Sequence, residues 1–368
     1  MQIAVIGKGK LGKEIVNLIL SSKRFILEDL ALVWICRNPA DIDALQQMVE
    51  KKLRKNALNF PQACSARSLD RVRIQANLEG LWAIDLAIET ITEDLHQKRT
   101  LLANLCNQCA PSTIIATNTS SIPLERIFTD LPNPERFAGM HFFYPAKLTP
   151  IVEINTTQQT SPNTIQLIEQ VVEALALKSV VFSGANNMFF SKLLLDLMNE
   201  AFLVLGEGNL THLEIDEVVK DHIMLLGTFE ILNQTGSEIV IQGFDNFDSP
   251  ERTAYYAPFK TFLRVPLRVP GTQRESVWVP GTLIKEEAKA DAALRLKAVL
   301  ANTTAVLIQQ GAIDKETLDY ATTTVLGMNN TISSLVRAEE EQLAQALAAR
   351  FEKTQLAFYK ENRISAWL

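Results

Sequence analysis

Short apolar runs alternate with amphipathic stretches through the first half of the chain. The pattern predicts strands over 2–6 and 31–36 and helices over 10–21 and 40–55. Further strands are expected over 71–74, 85–89, 113–117 and 137–143, with a helix over 94–109. Apolar strands that alternate with helices imply a parallel sheet buried on both faces, so residues 1–183 read as an α/β domain. Beyond 183 the period changes. Apolar residues recur every three or four positions over 187–206, which predicts an all-α region. The interval 244–281 is rich in proline and glycine and is expected to break any helix, with helix resuming near 285. Residues 199–216 match 302–319 at an offset of 103, pairing Gly208 with Gly311, Ile215 with Leu318 and Asp216 with Asp319. A duplicated helical module accounts for this. The expected division is 1–183, 184–283 as a first helical domain with a Pro/Gly-rich tail, and 284–368 as a second helical module.

Composition narrows the function classes. The net charge of −6 comes with no basic run long enough to track a phosphate backbone, which argues against a nucleic-acid partner. No apolar stretch reaches membrane-spanning length, so no membrane partner is expected. With a strand opening at residue 2, no secretory leader and a cytoplasmic location are expected. Four cysteines are too few for a disulfide framework. Cys106 and Cys109 form a lone CxxC without a second pair to complete a zinc site, so packing is favoured over a metal or redox role and no metal is expected.

The first strand runs directly into Gly7-Lys8-Gly9-Lys10-Leu11-Gly12 and then into a helix. In that strand–turn–helix setting, Gly7 permits the tight turn and Gly9 admits a pyrophosphate. The N–H of Leu11 joins the phosphate-facing amides, and Gly12 lets helix and strand pack closely. The first domain is therefore expected to be a doubly wound Rossmann domain that binds a dinucleotide. NAD-binding domains usually end the second strand in an acidic residue that holds the ribose 2′-hydroxyl. Here the strand ends Ile35-Cys36-Arg37. A guanidinium there suits a 2′-phosphate, so the cofactor is expected to be NAD or NADP; a solvated or adenine-stacked Arg37 accounts equally for the sequence.

His141 stands in one apolar strand and Glu153 twelve residues on in another. Buried polar groups need partners. A carboxylate that accepts the Nδ1 proton leaves Nε2 facing outward as a base, which would make a proton-transfer dyad.

Four motifs occur in order: Asp85-Leu86-Ala87-Ile88-Glu89-Thr90-Ile91-Thr92-Glu93 with Lys98, Thr117-Asn118-Thr119-Ser120-Ser121, Arg136-Phe137-Ala138-Gly139-Met140-His141-Phe142-Phe143, and Ile151-Val152-Glu153-Ile154. Together they resemble the 3-hydroxyacyl-CoA dehydrogenase family. The resemblance implies interconversion of a 3-hydroxyacyl-CoA and its 3-oxo form. His141 would exchange the 3-hydroxyl proton, Glu153 would orient it, and hydride would pass to or from the nicotinamide. It also implies that Ser120 bonds near the reacting oxygen and the nicotinamide, and that Glu93 and Lys98 contact the cofactor. A solvated helix-end pair accounts equally for the last two. The helical part resembles the C-terminal portion of large bacterial fatty-acid oxidation proteins of β-oxidation, in which two such modules follow the Rossmann domain. Single-module relatives dimerise there, so tandem modules imply a monomer, with a homodimer as the alternative.

Two positions depart from the family pattern. Tyr144 stands where an asparagine helps hold the cofactor, and Ser191 where another touches substrate. Neither side chain offers an amide's paired donor and acceptor. The segment 225–230 lacks the family's Gly-Pro-Phe, and the expected Lys-x-Gly-x-Gly-Phe-Tyr ending is absent. Three readings result: the NAD(P)-dependent oxidoreductase acting on an acyl-CoA, a dinucleotide-binding sensor with weak or lost turnover, and a dehydrogenase of a small hydroxy acid without CoA.

Overall fold

The computed structural model describes residues 1–27, 30–59, 69–184, 187–247, 249–264, 286–309, 313–360 and 364. The chain divides into two compact units, Met1–Asn187 and Met188–Leu368.

The first unit runs β1 (Gln2–Ile6), α1 (Lys10–Ser21), α2 (Lys23–Leu27), β2 (Ala31–Ile35), α3 (Ile42–Asn59), β3 (Val72–Gln75), β4 (Leu86–Glu89) and α4 (Leu95–Gln108). It continues with β5 (Ile114–Thr117), α5 (Leu124–Ile127), β6 (Phe137–Phe142), β7 (Ile151–Thr156), α6 (Pro162–Ala174) and β8 (Lys178–Ser183). The strands form one sheet in the order β3-β2-β1-β4-β5-β6-β7-β8. Strands β1 to β6 run parallel to one another, while β7 turns back antiparallel to β6 and β8 pairs parallel with β7, so these last two run against the rest. This is the expected doubly wound α/β sheet. Its order reverses beside β1, opening a crevice at the carboxyl ends of β1 and β4. Ile3, Val5, Trp34, Leu86, Ile88 and Ala116 are buried, as the unbroken apolar strands require.

The second unit is helical: α7 (Phe189–Gly206), α8 (His212–His222), α9 (Thr228–Thr235), α10 (Ser237–Asn246), α11 (Pro250–Arg264), α12 (Glu286–Gln309), α13 (Lys315–Leu326), α14 (Ile332–Thr354) and α15 (Ala357–Lys360). The expectation that 244–281 breaks any helix fails over 244–246, where α10 continues, and over 250–264. There α11 carries Pro258 in its interior. An internal proline removes one backbone bond, but α11 buries Tyr255, Tyr256, Phe259 and Leu263, and that apolar face outweighs the loss. The remainder of that interval from 265, together with Gly311 and Cys64, lies outside the described residues.

The 103-residue repeat has a structural counterpart. Asp216 accepts the Glu230 N–H at 2.9 Å and Asp319 accepts the Ser333 N–H at 3.0 Å, each 14 residues on. Asn199 Nδ2 donates to the Tyr255 carbonyl and Asn302 Nδ2 to the Phe358 carbonyl, each across 56 residues. Tyr255 and Phe358 hold equivalent places in the two copies, and their rings stack at 3.9 Å and 7°. Contact between equivalent groups is what an axis relating the two copies would produce. Among the described residues, no helix is long and apolar enough to cross a membrane.

Candidate active site

At the glycine loop each glycine has a distinct reason. Gly7 has φ +128, and a Cβ there would lie 2.4 Å from Thr90 Oγ1. A Cβ on Gly12 would lie 2.5 Å from the Gly7 carbonyl oxygen, so neither position tolerates a side chain. Gly9 faces open space. It is also the N-cap of α1, with no side-chain cap and no acidic residue in the first turn, so the N–H groups around Leu11 are left for a ligand. Trp34 Nε1 donates to the Gly7 carbonyl at 2.8 Å and pins the turn from β2. Open space ahead of uncapped donors fits a pyrophosphate.

The end of β2 lies beside this loop, since Ile6 and Ile35 are register partners and Gly7 N–H bonds the Ile35 carbonyl at 2.9 Å. Cys36 is buried and Arg37 exposed. Lys8, from the glycine loop, forms an ion pair with Asp41 in the turn after β2. Burial pushes the Cys36 thiol up, with Asp41 adding to the rise and Lys8 opposing it.

Across the crevice, Glu89 ends β4 fully buried. It accepts Lys98 Nζ at 2.8 and 3.0 Å, the Thr117 hydroxyl at 2.5 Å and the Ile91 N–H at 2.7 Å. Lys98 is 1% exposed, so the solvated-pair reading of Glu93 and Lys98 is corrected: the two pair at 3.4 Å, but the lysine is buried and also tied to Glu89. Glu93 Oε1 gathers the Thr119 hydroxyl at 2.6 Å and the N–H groups of Ser120 and Ser121 at 3.0 and 2.9 Å. Burial alone would raise the Glu93 carboxyl, but the Lys98 ammonium and these donors outweigh it and hold it below its ordinary value. The half-buried Ser120 is thus fixed by its own backbone.

Because β6 and β7 are antiparallel, the twelve-residue spacing makes His141 and Glu153 direct partners across the ladder. His141 Nδ1 and Glu153 Oε2 are 2.8 Å apart. The imidazole is 7% exposed and the carboxylate 0%. Glu153 Oε1 has no hydrogen-bond partner among the described residues. With Nδ1 donating to the carboxylate, Nε2 is the ring atom left to exchange a proton. Phe143 flanks the ring at 4.6 Å, and Asn118 Oδ1 accepts the Phe142 N–H at 2.8 Å, fixing the strand next to His141.

Tyr144 is exposed, with Lys10 Nζ 5.9 Å from its ring centroid, which places it beside the glycine loop. Ser191 stands half-buried in the first turn of α7, in the helical unit. At the CxxC, burial pushes Cys109 up to about 11 and also raises Cys106, which disfavours the thiolate at both positions. Sequence reasoning missed Trp34, Thr90, Glu89 and the Lys8–Asp41 pair. A lone tryptophan with a donor in an apolar strand was the available signal for the first. The others depend on distant partners.

A doubly wound sheet with a glycine loop at its reversal point and a histidine–carboxylate pair further along is the architecture of dinucleotide-linked dehydrogenases. Residues 2–187 match the family model described as 3-hydroxyacyl-CoA dehydrogenase, NAD binding domain. The chain belongs to the 3-hydroxyacyl-CoA dehydrogenase family. It is 31% identical over 222 residues to 3-hydroxybutyryl-CoA dehydrogenase of Clostridioides difficile, covering 60% of this chain and 77% of that one. It is 23% identical over 238 residues to the peroxisomal bifunctional enzyme of Cavia porcellus, covering 64% of this chain. The chain spans about a third of that larger relative, 32% of its length. A crystal structure of 3-hydroxybutyryl-CoA dehydrogenase from Escherichia coli K12 superposes with a TM-score of 0.76 at 16% identity, covering 98% of this chain and 96% of that one. That likeness extends the shared fold through the helical unit.

Proposed function

We propose that the chain is an NAD(P)-dependent oxidoreductase that interconverts 3-hydroxyacyl-CoA and 3-oxoacyl-CoA in the cytoplasm. The observation that carries this reading is the dyad: a nearly buried imidazole with one nitrogen held at 2.8 Å by a fully buried carboxylate. In the oxidising direction, His141 Nε2 takes the 3-hydroxyl proton while Glu153 stabilises the imidazolium. A nicotinamide held at the glycine loop would supply the two-electron chemistry, as acceptor of the hydride from C3. Ser120, Glu93, Leu11 and Tyr144 are assigned to the cofactor side, with the buried Lys98 acting through Glu89 and Glu93; Ser120 is also assigned to the reacting oxygen and Ser191 to substrate. The test is cofactor oxidation with acetoacetyl-CoA. Turnover that falls by about 100- to 10,000-fold in His141→Gln with the fold retained supports the reading. Full turnover in that variant overturns it.

Tyr144 and Ser191 favour a second reading, a dinucleotide-binding sensor; binding of NADH or NADPH without any oxidation by 3-oxoacyl-CoAs would establish it. Turnover of a free hydroxy acid but no thioester would instead identify a dehydrogenase of small hydroxy acids. The stacking of equivalent rings from the two repeat copies supports a monomer. A solution mass near 41.0 kDa is the expected result, and twice that value would show a homodimer.

A further inference from the structure

We propose that the end of β2 is a 2′-phosphate site, made by Arg37 and Lys8, that sets the chain's preference for NADPH over NADH. The proposal rests on the dinucleotide reading above and deepens it.

A ribose bearing two free hydroxyls needs an acceptor at the end of the second strand, whereas a 2′-phosphate needs cations. Each acceptor side chain described at this strand end already holds a partner. Cys36 is 1% exposed, and its thiol is turned to the carbonyl of Asn38 at 3.5 Å. The Asn38 side-chain oxygen is taken by the Ala40 N–H at 3.2 Å, which caps the short turn Pro39–Asp41. Asp41, the carboxylate of this turn, is paired with Lys8. The exposed cations are Arg37, whose guanidinium can grip a phosphate with two parallel bonds, and Lys8, which reaches from the glycine loop to the same turn. The Ile6–Ile35 register sets these two residues at neighbouring strand ends. Because Lys8 follows Gly7 directly, a cofactor whose pyrophosphate rests on α1 brings its adenosine ribose toward both cations.

The experiment is fluorescence titration of the whole chain with NADPH and with NADH, without substrate, and displacement by 2′-AMP compared with 5′-AMP. NADPH should bind at least about tenfold more tightly, and 2′-AMP should displace it better than 5′-AMP. Arg37→Asp should weaken NADPH by roughly 10- to 100-fold while leaving NADH unchanged or tighter. Lys8→Ala should act in the same direction by less, because that lysine already shares its charge with Asp41. Equal or tighter binding of NADH by the unaltered chain overturns the 2′-phosphate site and leaves the dinucleotide reading standing. Binding of neither nucleotide overturns both.

Discussion

Glu153 in the sheet unit and Glu200 in the helical unit are both fully buried, yet their surroundings differ in one respect. Both oxygens of Glu200 are occupied. Oε1 takes Arg295 Nη2 at 2.7 Å and Nε at 3.1 Å, while Oε2 takes the hydroxyls of Tyr359 and Tyr255. Its neighbour Asp196 is filled likewise by Arg252, Tyr256 and Thr303. Glu153 has one oxygen on an imidazole and the other without a partner among the described residues. Burying a carboxylate costs several kcal/mol unless it is paired. A fully satisfied acid ties helices together, whereas one that leaves bonding capacity beside a titratable ring has room for chemistry. The contrast teaches that burial alone does not separate the two roles. Saturation of partners does.

The strongest way to break the comparison is to exchange the consequences of the two acids. Glu153→Gln should lower turnover by about 100- to 10,000-fold with little change in unfolding midpoint. Glu200→Gln should leave the dinucleotide loop unaffected but destabilise the helical unit by about 3 kcal/mol in urea unfolding. The loss is held to that level because Arg295 keeps Glu207 at 2.8 Å. A Glu153 variant that unfolds readily while keeping its rate would erase the distinction.

A smaller effect compares the two helical modules. Asp216 holds three donors, the Thr228 hydroxyl at 3.3 Å and the N–H groups of Phe229 and Glu230 at 2.9 Å each. Asp319 holds the Ser333 N–H. Asp216→Ala should cost about 1–2 kcal/mol and Asp319→Ala about half as much, read by thermal unfolding.

Smallest is an acid dependence in the sheet unit. Glu93 has its folded carboxyl held below its ordinary value, so its stabilisation is present above the unfolded value of 4.5 and is lost as pH falls through the lower folded value. Stability measured from pH 7 downward should fall in that acid window, and Glu93→Gln should flatten the fall. An unchanged profile would remove Glu93 from the forces holding the Ser120 loop.

The chain's own pattern was enough for the alternating strands and helices of the first unit, for the turn made by Gly7, Gly9 and Gly12, and for the pairing of His141 with Glu153. These depend on periodicity, on local backbone limits and on a short hairpin register, all carried by neighbouring residues. The 103-residue repeat was also legible, because it is a property of the sequence itself. Packing between distant segments decided the rest. Lys98 reads as a helix-end lysine until β4 supplies Glu89, and Trp34 reads as core until its indole reaches the Gly7 carbonyl. Pro258 reads as a helix breaker until the buried aromatic face of α11 outweighs the lost bond. Glu200 and Arg295 are 95 residues apart, and no local rule couples them; only the folded helical unit brings that acid and that cation together out of water.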